Sequence, residues 1–245
     1  MTVIPVSVHG AEGRMGRLVT ELVEVTPDLR LSALITQDGR GQAPGGFHPT
    51  LALSEQSRLA EAHPRGGVIV DFSLASAMDG LLAGARASEA PLVIGTTGYT
   101  DSQVEELAAY AQSRPVVLAS NFSVGVPALR LVLERLADLL PDAFQAEQVE
   151  IHHRHKLDRP SGTARTLASA WAKTRGGDVP PTHSLRVGGV TGEHRWVISD
   201  DEETLEVVHR AHSRRAFLRG VAPAIRYVNQ AAPGLYSMED VLAGI

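Results

Sequence analysis

The sequence has no cysteine among its 245 residues. Disulfides, thiolate nucleophiles and Cys-ligated zinc are excluded, and the absence fits a reducing compartment such as the cytoplasm. Aromatic residues make up only 4%, too few for the stacking platforms of single-stranded nucleic-acid binders. No apolar run approaches the roughly 20 residues that span a bilayer. Positive charge is in deficit, with 23 Lys and Arg against 28 Asp and Glu. A nucleic-acid or anionic-membrane binder is more often basic, so any use of cations here has to be local. The amino-terminal stretch MTVIPVSVHG lacks a basic segment and a small-residue cleavage site, and reads as a first strand rather than a signal peptide.

The length suits one large α/β unit or two modest domains. Through residue 118, short apolar runs alternate with amphipathic stretches. Strands are expected at Val3–Val8, Leu29–Ile35, Val68–Phe72, Pro91–Ile94 and Val116–Leu118. Helices are expected at Arg17–Val25, Ser73–Ala87 (with Ser73 as its cap) and Asp101–Gln112. The stretch 36–50, rich in Gly and Pro, reads as a loop. Strands alternating with helices predict a parallel sheet. The pattern changes near residue 122. A long helix at Val124–Leu140, a strand at Glu147–His152 and a helix at Ser161–Lys173 come first. Three successive strands, Leu185–Val190, Arg195–Ser199 and Thr204–His209, then predict an open mixed or antiparallel sheet. A final helix is expected over about Arg214–Asn229. The fold class is therefore α/β, with a dinucleotide-type domain up to a boundary near residue 122 and a second domain with an open mixed sheet beyond it.

Two segments carry chemistry. The first, Gly10-Ala11-Glu12-Gly13-Arg14-Met15-Gly16, follows the first strand and opens the first helix. Its GxxGxxG spacing is a variant of the dinucleotide fingerprint. Glycine permits the tight turn, the approach of a pyrophosphate and close helix–strand packing, and the helix start offers free N–H groups to phosphate. Such a motif in isolation is as readily a bare turn; its place in a βαβ array favours the dinucleotide. The second strand ends Thr36-Gln37-Asp38-Gly39-Arg40. Asp38 could take ribose hydroxyls and Arg40 a 2′-phosphate, or both are solvated loop charges, so NADH and NADPH stay open.

The second segment runs from Glu150 to Ala164. It packs His152, His153, His155 and Lys156 ahead of Pro160-Ser161-Gly162-Thr163. A metal site is disfavoured: the spacing is not His-Glu-x-x-His, and the neighbouring Arg and Lys would repel a cation. A basic solvated loop is the plain alternative. An anion site explains more, since Ser161 can cap a helix whose free N–H groups, with two hydroxyls, suit a carboxylate. Lys156 and the histidines would then serve a small dianionic acid and supply a proton.

This second segment resembles the signature of the 4-hydroxy-tetrahydrodipicolinate (dihydrodipicolinate) reductase family, close to E-x-H-H-x-x-K-x-D-A-P-S-G-T-A, with Arg159 in place of the usual Ala. Gly10–Gly16, Asp71-Phe72-Ser73, Gly95-Thr96-Thr97-Gly98 and Asn121-Phe122-Ser123 with Gly125 are similar to further family elements, in order along nearly the whole chain. The resemblance implies a Rossmann-like domain binding NADH or NADPH through Gly10, Ala11, Glu12, Gly13, Arg14, Met15, Gly95, Thr96, Thr97, Ala119, Ser120, Asn121 and Phe122. It implies His152 and Lys156 as catalytic groups, and His153, Ser161, Gly162 and Thr163 as substrate contacts. It also implies that 1–122 and 216–245 form the dinucleotide-binding domain and 123–215 an α+β substrate domain, and a homotetramer built through the sheet of the second domain. A paralogue acting on a related cyclic imino acid, with Arg159 altering the site, and a non-catalytic nicotinamide sensor are the competing readings.

Overall fold

The computed structural model describes residues 3–40, 49–58, 63 and 65–244. The chain divides into two compact units, Met1–Phe122 with Phe217–Ile245, and Ser123–Ala216.

The first unit is built on a seven-stranded parallel sheet. Its strands are β1 (Ile4–His9), β2 (Leu29–Thr36), β3 (Thr50–Ala52), β4 (Val68–Asp71), β5 (Leu92–Ile94), β6 (Pro115–Leu118) and, from the end of the chain, Gly234–Tyr236. The order across the sheet begins with that last strand and continues β6-β5-β4-β1-β2-β3. The fully buried run Val68-Ile69-Val70 shows why the sheet is covered on both faces. Val68 and Val70 join one apolar cluster, with helix α1 (Arg14–Val25) and a helix at Val221–Val228. Ile69 joins the other, with α2 (Met78–Ser88) and α3 (Asp101–Ala111). Side chains alternate along a strand, so a continuous apolar run needs partners on both sides.

The second unit contains α4 (Gly125–Leu139), β7 (Gln145–His152), α5 (Gly162–Arg175), β8 (Thr182–Arg186), β9 (Gly192–Ser199) and β10 (Thr204–Ala211). The strand order is β10-β9-β7-β8. β7 pairs parallel with β8 and antiparallel with β9, so the sheet is mixed. α4 and α5 cover one face through Leu129, Leu133, Leu167 and Trp171, packed on Trp196 and Ile198.

Three expectations need correction. The helix expected over Arg214–Asn229 is a 3₁₀ turn at Arg214–Leu218 followed by α6, Val221–Val228. Gly220 breaks it, donating its N–H to Phe122 O at 2.8 Å. The restart also places Pro223 in a first turn, where a missing N–H costs nothing. Ser73 does not cap α2: its hydroxyl donates to Asp71 Oδ1 at 2.6 Å, and a 3₁₀ turn at Ala75–Ala77 leads into the helix. The strand expected at Leu185–Val190 lies earlier, at Thr182–Arg186. Four described elements have no counterpart among the expectations: β3, a 3₁₀ helix at Leu53–Arg58, β11 (Gly234–Tyr236) and α7 (Met238–Ala243). The last has a legible signal, because Ser237 and Asp240 form a capping box. Most of the loop expected at 36–50 lies outside the described residues.

Candidate functional site

In the first unit, the segments following β1, β4, β5 and β6 share the carboxyl edge of the sheet, where open α/β sheets bind ligands. They are stitched together in sequence. Gly10 N donates to Ile35 O at 2.9 Å, Phe72 N to His9 O at 3.1 Å, Gly95 N to Asp71 O at 2.8 Å and Ala119 N to Ile94 O at 3.0 Å. The expected cofactor residues Gly10–Met15, Gly95–Thr97 and Ala119–Phe122 therefore lie on one edge.

The glycines are dictated by contact. Gly10 has φ +76°, and a Cβ there would stand 2.8 Å from Phe72 O. A Cβ on Gly16 would stand 2.0 Å from Gly10 O, so α1 packs directly on the turn. Gly13 caps α1 with no side-chain hydrogen bond, and the first turn holds no acidic residue. The free N–H groups and positive helix end suit a phosphate, so these residues fit a dinucleotide.

Behind the turn lies a buried polar network centred on His9 and Asp71. His9 and Asp71 are both within 1% of full burial, with Nδ1 2.5 Å from Oδ1. Ser73, Thr96 and Tyr99 join them: Ser73 N donates to Thr96 Oγ1 at 2.8 Å, and Tyr99 OH to Asp71 Oδ2 at 3.3 Å. Burial pushes the Asp71 carboxyl up, but the His9 bond and its charge outweigh this and hold it below the usual range. The network ties the loops after β1, β4 and β5 into one rigid edge.

The second unit gathers the other candidates at the end of β7. Register places His152 beside Arg186 of β8 and Glu150 opposite His194 of β9. Glu150, fully buried, accepts from Arg186 Nη2 at 2.6 Å through Oε1. Its Oε2 makes a short contact with His152 Nδ1. The Arg186 side chain is 1% exposed and also donates to the carbonyls of Leu185 and Asp158. Burial raises the Glu150 carboxyl, but the Arg186 bond prevails and keeps it ionised. Burial lowers the His152 imidazole, offset in part by Glu150 and reinforced by the charges of Lys156 and Arg186. His194 lies edge-on to His152, ring centroids 5.5 Å apart, and burial takes it down to about 3. Both imidazoles are thus neutral at neutral pH, and Glu150 fixes His152 with the proton on Nδ1 and a lone pair on Nε2.

Lys156 Nζ lies 2.8 Å from Asp158 Oδ1. Burial raises the Asp158 carboxyl, but its bond to Lys156 outweighs that, with help from the Gly162 N–H. An internal carboxylate thus already bridges two of the groups expected to meet a substrate anion. Ser161 caps α5, its Oγ accepting from Ala164 N at 3.2 Å, which leaves its hydroxyl proton available. Gly162 and Thr163 open the helix. The His153 ring lies 6.3 Å from that of His155. Arg159 is exposed, preceding Pro160 across a cis peptide. Arg186 and His194 were not singled out as site residues from sequence, because only strand register brings them to β7. Glu150 had a local signal, since residues two apart on a strand share a face.

Comparison with known proteins gives a consistent result. Residues 4–122 match the family profile described as "Dihydrodipicolinate reductase, N-terminus", and residues 125–242 the one described as "Dihydrodipicolinate reductase, C-terminus". The chain is 39% identical to the 4-hydroxy-tetrahydrodipicolinate reductase of Akkermansia muciniphila, over 98% of both chains. It is 41% identical to that of Stenotrophomonas maltophilia strain R551-3, over 96% of both. Its fold is similar to a dipicolinate-bound dihydrodipicolinate reductase from Paenisporosarcina sp. TG-14, with TM-score 0.82, 22% identity and coverage of 98% of this chain and 99% of that one.

Proposed function

We propose residue roles from one established premise: the chain belongs to the dihydrodipicolinate reductase family. Its activity is the NAD(P)H-dependent reduction of 4-hydroxy-tetrahydrodipicolinate to tetrahydrodipicolinate, a step toward diaminopimelate and lysine. The observation that carries the role assignment is the buried Arg186–Glu150–His152 array beside the Lys156–Asp158 pair.

The first unit holds the cofactor, with Gly10–Met15 and the segments Gly95–Thr97 and Ala119–Phe122 forming its site. When bound, the reduced nicotinamide supplies the hydride. The second unit holds the dianionic substrate: the first turn of α5, with Ser161, Gly162 and Thr163, takes a carboxylate, and His153 a further contact. Lys156 Nζ is the proton donor. His152 is neutral at rest with its lone pair on Nε2, so it accepts a hydrogen bond from the substrate and orients it rather than donating first. Asp158 gives up Lys156 as the substrate carboxylate arrives.

The direct test is oxidation of NADH and of NADPH by the full chain, with substrate generated in situ from pyruvate and aspartate semialdehyde. Rapid, substrate-dependent loss of the reduced cofactor is expected. No turnover while cofactor still binds would sink the substrate assignment and favour another cyclic imino acid.

A homotetramer is part of this reading. The sheet face turned away from α4 and α5 carries Val149, Ile151, Leu185, Val197 and Val208, with Leu185 and Val208 49% and 41% exposed. The same face also carries the ion pairs Glu147–His183 and Glu193–Arg210 and the charges of Arg195 and Glu206. Such a mixed face, exposed aliphatics among ion pairs, suits an interface between copies of the chain. Sedimentation should give a tetramer and Val197→Glu a smaller species; a monomeric wild type would refute it. We also place the protein in the cytoplasm, in keeping with a cysteine-free chain; activity recovered only with membranes or outside the cell would overturn that.

A further inference from the structure

We propose that Glu12 sets the cofactor preference of this chain, favouring NADH over NADPH. The inference rests on the Gly10–Gly16 turn being the dinucleotide site. In such a βαβ unit, the ribose that distinguishes the two cofactors lies at the carboxyl end of the second strand. An acid there accepts from the free hydroxyls, or an Arg meets the 2′-phosphate. Here β2 ends Leu34-Ile35-Thr36, with neither, and the first acid and the first Arg beyond it, Asp38 and Arg40, stand in the following loop.

The glycine turn supplies the acid instead. Gly10 N and Ala11 N both donate to Ile35 O, at 2.9 and 3.2 Å, which fastens the turn to the end of β2. Glu12 then reaches across, and its Oε1 accepts from the backbone N–H of Gln37 at 2.8 Å. One carboxylate oxygen is held at the strand end, leaving the other for ribose hydroxyls. The same bond occupies the N–H that would otherwise be offered to a phosphate oxygen.

The nearby charges do not reverse this. Asp38 Oδ1 accepts from Arg40 N at 3.0 Å, so Asp38 is turned back on its own loop. Its Oδ2 lies 3.9 Å from Arg40 Nε, and the Arg40 side chain is 89% exposed. A phosphate monoester carries roughly −1.5 to −2 charges at neutral pH. A 2′-phosphate at this strand end meets the carboxylates of Glu12 and Asp38 as well as the exposed cation of Arg40. Repulsion between like charges at contact distance in an aqueous surface setting changes an equilibrium by roughly tenfold.

The test is the dissociation constant of each reduced cofactor for the full chain without substrate, by nicotinamide fluorescence or calorimetry at one fixed low ionic strength. Wild type should bind NADH about tenfold or more tightly than NADPH. Glu12→Gln keeps an acceptor for the Gln37 N–H but loses the charge, so the ratio should move toward unity, chiefly through tighter NADPH binding. Glu12→Lys should reverse the preference. Asp38→Asn should shift the ratio less than Glu12→Gln does. Wild type binding NADPH as tightly as NADH overturns the inference, and so does an unchanged ratio in Glu12→Gln at unchanged Tm. If neither cofactor binds, the dinucleotide reading of the turn fails and this inference with it, so the two failures are told apart.

Discussion

Lys156→Ala is expected to fold, to bind reduced nicotinamide as wild type does, and to lose kcat by about 10²- to 10⁴-fold, the usual contribution of a positioned proton donor. The expectation follows from the neutral state of the neighbouring imidazoles. Burial lowers both His152 and His194, so neither carries an imidazolium proton to donate at neutral pH, which leaves Lys156 as the donor. Lys156 is also tied to Asp158 at 2.8 Å, which aims it at the start of α5. Removing it frees Asp158 on a partly exposed surface, so stability should change little. Lys156→Arg separates the two things a cation could do. Arg keeps the charge but does not give up a proton near neutral pH. If Lys156 only stabilised charge, Arg would restore turnover; as proton donor, it is not replaced by Arg. Steady-state kcat with both variants, alongside cofactor Kd, decides the matter. Wild-type turnover in Lys156→Ala would end the mechanism.

Glu150→Gln is expected to lower kcat by about 10²-fold with cofactor binding unchanged. Arg186 Nη2 faces Glu150 Oε1, and a guanidinium only donates. In the variant the amide oxygen is therefore drawn to Arg186, and the amide NH₂ is left facing His152 Nδ1. His152 must then carry its proton on Nε2, which reverses the polarity of the atom offered to the substrate. The sign of the pH effect follows from the groups around the ring. Glu150 holds the imidazole's pKa up, while burial, Lys156 and Arg186 press it down, and His194 on β9 packs against it as a neutral ring. Removing the Glu150 charge lowers His152 further, so the limb of the kcat/KM profile that reports it should move to lower pH. Nitrogen NMR of the imidazole should show the exchanged tautomer. The change also strands the buried Arg186 charge, which costs about 3–5 kcal/mol when a buried pair is broken. Pairing it with Arg186→Met removes both charges and restores the balance, so a catalytic defect that survives in the double variant is not a folding defect. An unmoved pH profile and a kcat within roughly threefold of wild type would sink the positioning role.

Glu150 also contributes to stability with a defined sign. Its folded carboxyl lies below the ordinary value of 4.5. The stabilisation is therefore complete above that value and lost as pH falls through the lower, folded one. The lowered histidines act in the same direction below their ordinary value of 6.5.

The sequence by itself determined those features whose cause is local. A strand such as Val68-Ile69-Val70 is apolar because both faces are covered. The GxxGxxG turn is legible because steric need selects glycine within seven residues. Ser161 is readable as a cap because it precedes its own helix. Family signatures are local in the same sense, so the activity could be read from the chain. The tertiary structure alone decided what depends on pairing between distant segments. Arg186 meets Glu150 across 36 positions because β8 pairs with β7 in one register, and a shift of one residue would turn it to the opposite face. Glu12 reaches Gln37 across 25 positions because β2 returns beside β1. His194 and His9 owe their burial to neighbours that no window of sequence contains. Even the break before Val221 has two sources: Pro223 is a local signal, but the Gly220 N–H is claimed by Phe122, nearly a hundred residues away. Periodicity and capping act over a few residues, whereas charge pairing in a buried site is decided by which strands lie side by side.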